Sequence, residues 1–278
     1  MGTLRDAVYG AAIGDALGVP FEFKARDSFE CSDMVGQGTY GLPAGTFSDD
    51  TSMMLATCDS IRELAGRIDT DDMRERFRHW WRNGAYTADG SCFDIGNTTA
   101  IALDEGYGCS GERDNGNGSL MRIAPLAYCD ANDDAVRAVS AITHAHRVSN
   151  ESCVFFVELL RRIINGDITD VLSMEEVVCE LKPTGESFAF LDTVVTWQRG
   201  EVRSSGFVLD TLGAALWCFA NTDSYADCVL AAVNLGSDTD TTACVAGALA
   251  GAFYGIDAIP ARWMESLRGK EIIEACLF

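Results

Sequence analysis

The stretch Asp238-Thr239-Asp240-Thr241-Thr242-Ala243-Cys244-Val245-Ala246-Gly247-Ala248-Leu249-Ala250-Gly251-Ala252-Phe253-Tyr254 joins an acidic, hydroxyl-bearing start to a long run of small apolar residues. The pattern predicts a helix over 240–254. The apolar part, 243–254, is too short to span a bilayer, which takes about 20 residues. Gly247, Gly251 and Gly255 recur at every fourth position, as do Gly10, Gly14 and Gly18 near the start of the chain. Each interior glycine costs a helix about 1 kcal/mol relative to alanine. Repeated use of glycine therefore predicts neighbours whose backbones approach closely, as in tight helix packing.

Outward from this segment, apolar residues recur mainly at helical spacing, with few β-branched runs of period two. Helices are expected over 3–17, 51–65, 70–83, 133–143, 150–165, 174–181, 208–221 and 224–235 as well as 240–254. The expected fold is all-α, a compact multi-helix domain occupying 1–278, since no low-complexity linker divides the chain and only five prolines occur. Between the helices lie glycine-rich connections at 36–45, 84–96 and 106–118, with a shorter turn at 204–206. Loops of this length inside a compact domain tend to carry function.

The 278 residues carry 42 acidic and 21 basic side chains, a formal charge of −21. Such a field repels nucleic-acid backbones and anionic membranes, so no general nucleic-acid binding is expected. The eleven cysteines include no Cys-x-x-Cys pair and sit mostly among apolar neighbours. They read as buried free thiols of a cytoplasmic protein. The first residues lack the apolar core of a signal peptide, and no membrane span is expected.

Ser48-Asp49-Asp50-Thr51 repeats the chemistry of Asp238-Thr239-Asp240-Thr241: carboxylates beside hydroxyls, just ahead of a helix. A single Ser, Thr or Asp there is an ordinary N-cap, which needs one oxygen acceptor. Two carboxylates per terminus exceed that need. Together the segments offer only oxygen, the donor set of hard cations such as Mg²⁺ or Mn²⁺. They read as two halves of one site for two ions.

Other candidates are weaker. The turn Gly116-Asn117-Gly118-Ser119-Leu120-Met121-Arg122 could bring backbone N–H groups to a phosphate or be a plain structural turn. Asp94, in Phe93-Asp94-Ile95-Gly96-Asn97, could be a helix cap or a site acid. Glu22, between Phe21 and Phe23, could be a proton-transfer group with a burial-raised pKa or an exposed loop acid. His144-Ala145-His146 lacks the partners of a zinc site.

Taken in order, Gly14-Asp15-Ala16-Leu17-Gly18, Ser48-Asp49-Asp50-Thr51, Phe93-Asp94-Ile95-Gly96, Gly116 to Arg122, Thr143 to His146 and Gly236 to Thr241 resemble the ADP-ribosylglycohydrolase family. The Phe-Asp-Ile-Gly segment and Ser205 to Leu212 are most similar to its dinitrogenase reductase-activating branch, which removes ADP-ribose from arginine. The resemblance covers nearly the whole chain. It implies an all-α domain with a central two-metal site, Mg²⁺ or Mn²⁺, at the base of an ADP-ribose cleft. Ser48, Asp49, Asp50, Asp238, Asp240 and Thr241 are then the metal ligands, with Ser48 standing where many members have Thr. Asp94 and Asn97 approach the ribose next to the scissile bond, and Gly116, Asn117, Gly118, Ser119 and Met121 run along the diphosphate. His144 touches the distal part of the ligand. Phe207, where close relatives often have Tyr, would stack on adenine without a phenolic hydrogen bond.

The implied activity is hydrolysis of ADP-ribose from modified protein side chains, most directly from arginine, with Asp94 and Glu22 as the catalytic acids and ADP-ribose as product. The alternatives are hydrolysis of serine-linked ADP-ribose, poly(ADP-ribose) or modified nucleic acid, or a catalytically silent relative that binds ADP-ribose or serves structurally.

Overall fold

The computed structural model describes residues 2–278. In chain order its α-helices are α1 (Leu4–Gly18), α2 (Asp49–Glu63), α3 (Thr70–Asn83), α4 (Asn97–Glu105), α5 (Asp133–Ser140), α6 (Arg147–Asn165), α7 (Val171–Leu181), α8 (Val208–Ala220), α9 (Tyr225–Val233), α10 (Thr239–Tyr254), α11 (Ala261–Ser266) and α12 (Lys270–Cys276). Among the described residues there is no strand; isolated bridges link Gln37 to Leu42, Cys109 to His144, and Gly116 to Phe207. The all-α expectation holds.

The two glycine series face each other. A methyl group at Gly10 would lie 2.2 Å from the Gly247 carbonyl oxygen, and one at Gly14 would lie 2.0 Å from that of Ala243. One at Gly18 would lie 2.4 Å from the Asp240 Cα. Helices α1 and α10 thus cross backbone to backbone at the centre of one apolar core, which is closed by Tyr9, Phe47, Phe77, Trp80, Tyr225 and Trp263. Tyr225 satisfies its hydroxyl there by donating to the Gly10 carbonyl at 2.7 Å.

Several helix boundaries differ from expectation, each for a local reason. Helix α6 begins at Arg147 rather than 150 because the His146 ring nitrogen accepts from the Val148 N–H. Helix α7 begins at Val171 rather than 174, on a capping box formed by Asp170 and Ser173. Helix α5 ends at Ser140 rather than 143, followed by a turn that returns the chain to Cys109. Helices α4, α11 and α12 were not expected. They run for 9, 6 and 7 residues, too short for a periodic signal to stand out.

Candidate active site and metal centre

Crossing α1 with α10 places three sequence-distant segments around one point. After α1 a short 3₁₀ turn, Val19–Phe21, delivers Glu22 to the start of α10. Helix α2 enters with its N-terminus against Asp15 of α1: the Ser48 N–H donates to Asp15 Oδ1 at 2.9 Å, the Thr51 N–H to Oδ2 at 3.1 Å, and the Thr51 hydroxyl to Oδ2 at 2.6 Å. Asp15 is fully buried, and burial raises its carboxyl to about 6 despite these donors. All of its oxygens are engaged, which makes it the anchor of this terminus rather than a free ligand.

Of the six expected ligands, Ser48, Asp50 and Thr241 meet through hydrogen bonds, Asp240 joins Asp50, and Asp49 and Asp238 line the cleft beside them. The Ser48 hydroxyl both accepts from the Asp50 N–H and donates to Asp50 Oδ2 at 2.9 Å, while the Thr241 hydroxyl of α10 reaches the same Asp50 oxygen at 3.3 Å. One oxygen each of Asp50, Asp15 and Asp240 fall within 4.8 Å of one another, as do those of Glu22, Asp94 and Asp240. Asp50 Oδ1, Asp238 Oδ1 and Asp240 Oδ2 are buried with no hydrogen-bond partner. A buried, unpaired carboxylate is costly unless a cation meets it. Burial first, and then the charge of a neighbouring carboxylate (Asp50 for Asp49, Asp15 for Asp50, Glu22 for Asp240), push the carboxyls of Asp49, Asp50 and Asp240 well above the usual range. An all-oxygen set with three orphaned acceptors therefore fits hard divalent cations.

The structure separates cap from site. Ser48 caps α2, whereas Asp238, at the equivalent position of α10, makes no cap bond and instead accepts from the Asn117 amide at 2.8 Å. Asp94 is not a cap either; α4 starts beyond it on Gly96. Glu22 is 5% exposed, which excludes a loose surface acid.

Tyr40, from the glycine-rich loop 36–45, lies between the two acids. Its hydroxyl is 2.6 Å from Glu22 Oε2 and 2.6 Å from Asp94 Oδ1. A phenol carries one proton, so one of the two contacts must use a proton from a carboxyl group. Burial and the neighbouring Asp94 push Glu22 up to about 8. Neither Tyr40 nor Asp15 was singled out by sequence: Asp15 lay inside a family motif, and a tyrosine in a loop carries no spacing signal.

A cleft of about 270 Å³ opens above these acids, lined by Glu22, Phe23, Asp94, Asn97, Asn117 and His144 among others. Asp49, Gly116, Gly118, Met121, Asp238 and Thr241 also reach it. Buried Arg122 shapes the 116–121 turn, donating to the Gly118 carbonyl and, at 2.8 Å, to the Thr143 hydroxyl. That hydroxyl also meets His144 Nδ1 at 2.8 Å. The His144 Nε2 lies on the side facing Gly116. Burial and Arg122 lower His144 to about 3 and keep it neutral.

Ser119 and Phe207 lie outside the lining of this cleft. Ser119 lies in the interior, its hydroxyl against Ser140 and Cys153, so its side chain does not face the cleft. Phe207 pairs its backbone with Gly116 but turns its ring, 41% exposed, into an adjoining cleft of about 440 Å³ with Phe190, Trp197 and Arg203.

Three of the seven left-handed non-glycine backbones among the described residues lie at the site. Phe23, Asp94 and Ser237 all have left-handed backbones, at φ 64°, 60° and 65°. For residues other than glycine this costs roughly 1–2 kcal/mol each, and such outliers cluster at functional positions.

The family model for ADP-ribosylglycohydrolases matches residues 3–277. The chain is 37% identical to the ADP-ribosylarginine hydrolase Tri1 of Serratia proteamaculans (strain 568), over 97% of this chain and 76% of that protein. It is 31% identical to the ADP-ribosyl-dinitrogen reductase glycohydrolase of Rhodospirillum rubrum, over 95% and 90%. A solved structure of an ADP-ribosylglycohydrolase-related protein complex superimposes with a TM-score of 0.82 at 31% identity, covering 98% of this chain and 94% of that one.

Proposed function

The chain belongs to the ADP-ribosylglycohydrolase family, and from that premise we propose that it hydrolyses the N-glycosidic bond joining ADP-ribose to arginine side chains of modified proteins. The arginine linkage rests on the similarity to proteins named as ADP-ribosylarginine hydrolase and ADP-ribosyl-dinitrogen reductase glycohydrolase. The observation that carries the chemistry is the set of three orphaned carboxylate oxygens on Asp50, Asp238 and Asp240 beneath the cleft.

Ser48, Asp49, Asp50, Asp238, Asp240 and Thr241 would hold two divalent cations, Mg²⁺ or Mn²⁺, with Asp240 as the shared ligand. When bound, these supply Lewis acidity and fix the ribose hydroxyls and the hydrolytic water. The chain's own groups do the rest. Asp94 and Asn97 orient the ribose, and the carboxylate of Asp94, steadied by Tyr40, takes the proton that water releases as its oxygen bonds to the anomeric carbon. The carbon–nitrogen bond breaks through an oxocarbenium-like state, and the side-chain nitrogen leaves with its electron pair. Glu22 is the competing candidate for the proton. The backbone N–H groups at Gly116 to Gly118 offer donors for the diphosphate, and the His144 ring a contact for the distal end of the ligand.

ADP-ribosylated protein is thus the proposed substrate and ADP-ribose the product. All eleven thiols are free, which suits the cytoplasm. Among the described residues no helix is long and apolar enough to cross a membrane.

The test is turnover of arginine-linked against serine-linked ADP-ribosyl peptides, with and without exhaustive chelation. Release from arginine that stops on chelation and returns with Mg²⁺ or Mn²⁺ is expected; undiminished turnover after chelation would overturn the metal reading. Asp94→Asn and Glu22→Gln separate the proton roles, and near-normal turnover in both would remove each from them.

A further inference from the structure

We infer that Phe23 reads the leaving group: its ring is the surface on which the arginine guanidinium of the substrate rests. This rests on the proposed arginine linkage and names the residue that would select it.

Phe23 is an exposed wall of the cleft that holds Glu22 and Asp94, at 69% exposure, whereas Phe21 and Glu22 beside it are at 9% and 5%. It belongs to no part of the apolar core, and among the described residues no aromatic ring or cation packs against its face. Its backbone is left-handed at φ 64° and is held there from both sides. The Phe23 N–H donates to the Ser237 carbonyl at 2.7 Å, and the Ser237 N–H donates to the Lys24 carbonyl at 2.8 Å. An exposed phenylalanine in a costly conformation, locked to the segment that carries Asp238, needs a reason other than packing.

The cleft supplies that reason. Of its four lining acids, Asp49 and Asp238 are assigned to metal, which leaves Glu22 and Asp94 beside Phe23, and the lining has neither lysine nor arginine. Two acids without a basic partner favour a cationic leaving group. A guanidinium is planar and weakly hydrated, stacks on aromatic faces, and donates sideways to carboxylates. Phe23 offers the face and Glu22 and Asp94 the edge, next to the acids assigned to the scissile bond. A serine leaving group has neither the plane nor the charge to use this ring.

The experiment compares wild type with Phe23→Leu, Phe23→Ala and Phe23→Trp in the full-length, metal-supplemented protein. The readouts are kcat/KM on ADP-ribosyl-agmatine, inhibition by agmatine in the presence of ADP-ribose, the Kd for ADP-ribose alone, and Tm. The expected result is a loss of about 3- to 30-fold in kcat/KM for Phe23→Leu, from the range of cation–π energies. Agmatine inhibition should weaken in parallel, ADP-ribose affinity and Tm should stay at wild-type values, and Phe23→Trp should restore or exceed the wild-type rate. Unchanged kcat/KM in the leucine variant, or an equal loss in ADP-ribose affinity, overturns the inference while leaving the proposed function intact. A wild-type protein inert toward arginine-linked substrates refutes the proposed function itself, and this inference with it.

Discussion

The two acidic helix starts look alike in sequence and are capped in different ways. At α2 the backbone is satisfied internally, since Ser48 caps the first turn and Asp15 reaches across from α1 to hold the Ser48 and Thr51 N–H groups and the Thr51 hydroxyl, while Asp50 keeps one buried oxygen without a partner. At α10 the cap position is Asp238, which makes no cap bond, and Asp238 and Asp240 each keep one buried oxygen without a partner. One terminus has an anchored backbone and a single open carboxylate oxygen. The other leaves its cap position unused and two carboxylate oxygens open to a positive charge. A shared motif therefore does not imply a shared energetic role, and the contrast can be tested at each end.

The largest effect is expected at the open end. Asp240→Asn should lower turnover by more than about 100-fold, since loss even of outlying partners in a metal site costs 10- to 100-fold. The same change removes an unpaired buried charge and should raise the Tm of the metal-free protein. A lower metal-free Tm would show that Asp240 is already satisfied and break the contrast. At the anchored end, Asp15→Asn puts an amide against donors that need an acceptor; we expect a loss of about 3 kcal/mol in urea-unfolding stability. Next comes metal addition. Mn²⁺ at 100 times its Kd should stabilise the wild type by about 2.7 kcal/mol, measured as a rise in Tm, and should leave Asp240→Asn unmoved. The smallest effect belongs to the cap: Ser48→Ala should cost about 1 kcal/mol, measured by urea unfolding, whereas Asp238→Ala, having no cap bond to lose, should cost the metal-free protein nothing of that kind.

Much of this arrangement was legible because it rests on composition at fixed spacing. The glycine series at 10, 14 and 18 and at 247 and 251 forecast close backbone packing, which the structure realises as the crossing of α1 and α10, and paired carboxylates in excess of capping needs forecast the convergence of their segments. What stayed hidden depends on side chains meeting across the fold. Tyr40 joins Glu22 to Asp94 across 18 and 54 residues, and nothing in a loop tyrosine announces such partners. The interior direction of Ser119 could not be foreseen either, because a serine in a glycine-rich turn reads equally as a ligand contact or as a core hydroxyl. The shortest helices escaped for a different reason. Helix α4, bounded by Gly96 and Gly106, buries only Thr99, Ala102 and Leu103, too few for a periodic stripe.

The Gly18 crossing has a last consequence. The place where a methyl would strike Asp240 Cα at 2.4 Å is filled by peptide backbone alone. Atoms of that kind have no rotamers, so the gap between the Asp15-anchored half and the Asp240 half works as a calliper whose jaws have no torsional play. Heating can set neighbouring side chains hopping between wells without resetting the calliper, and the geometry offered to an incoming ion should hold its dimensions until the helix pair itself comes apart.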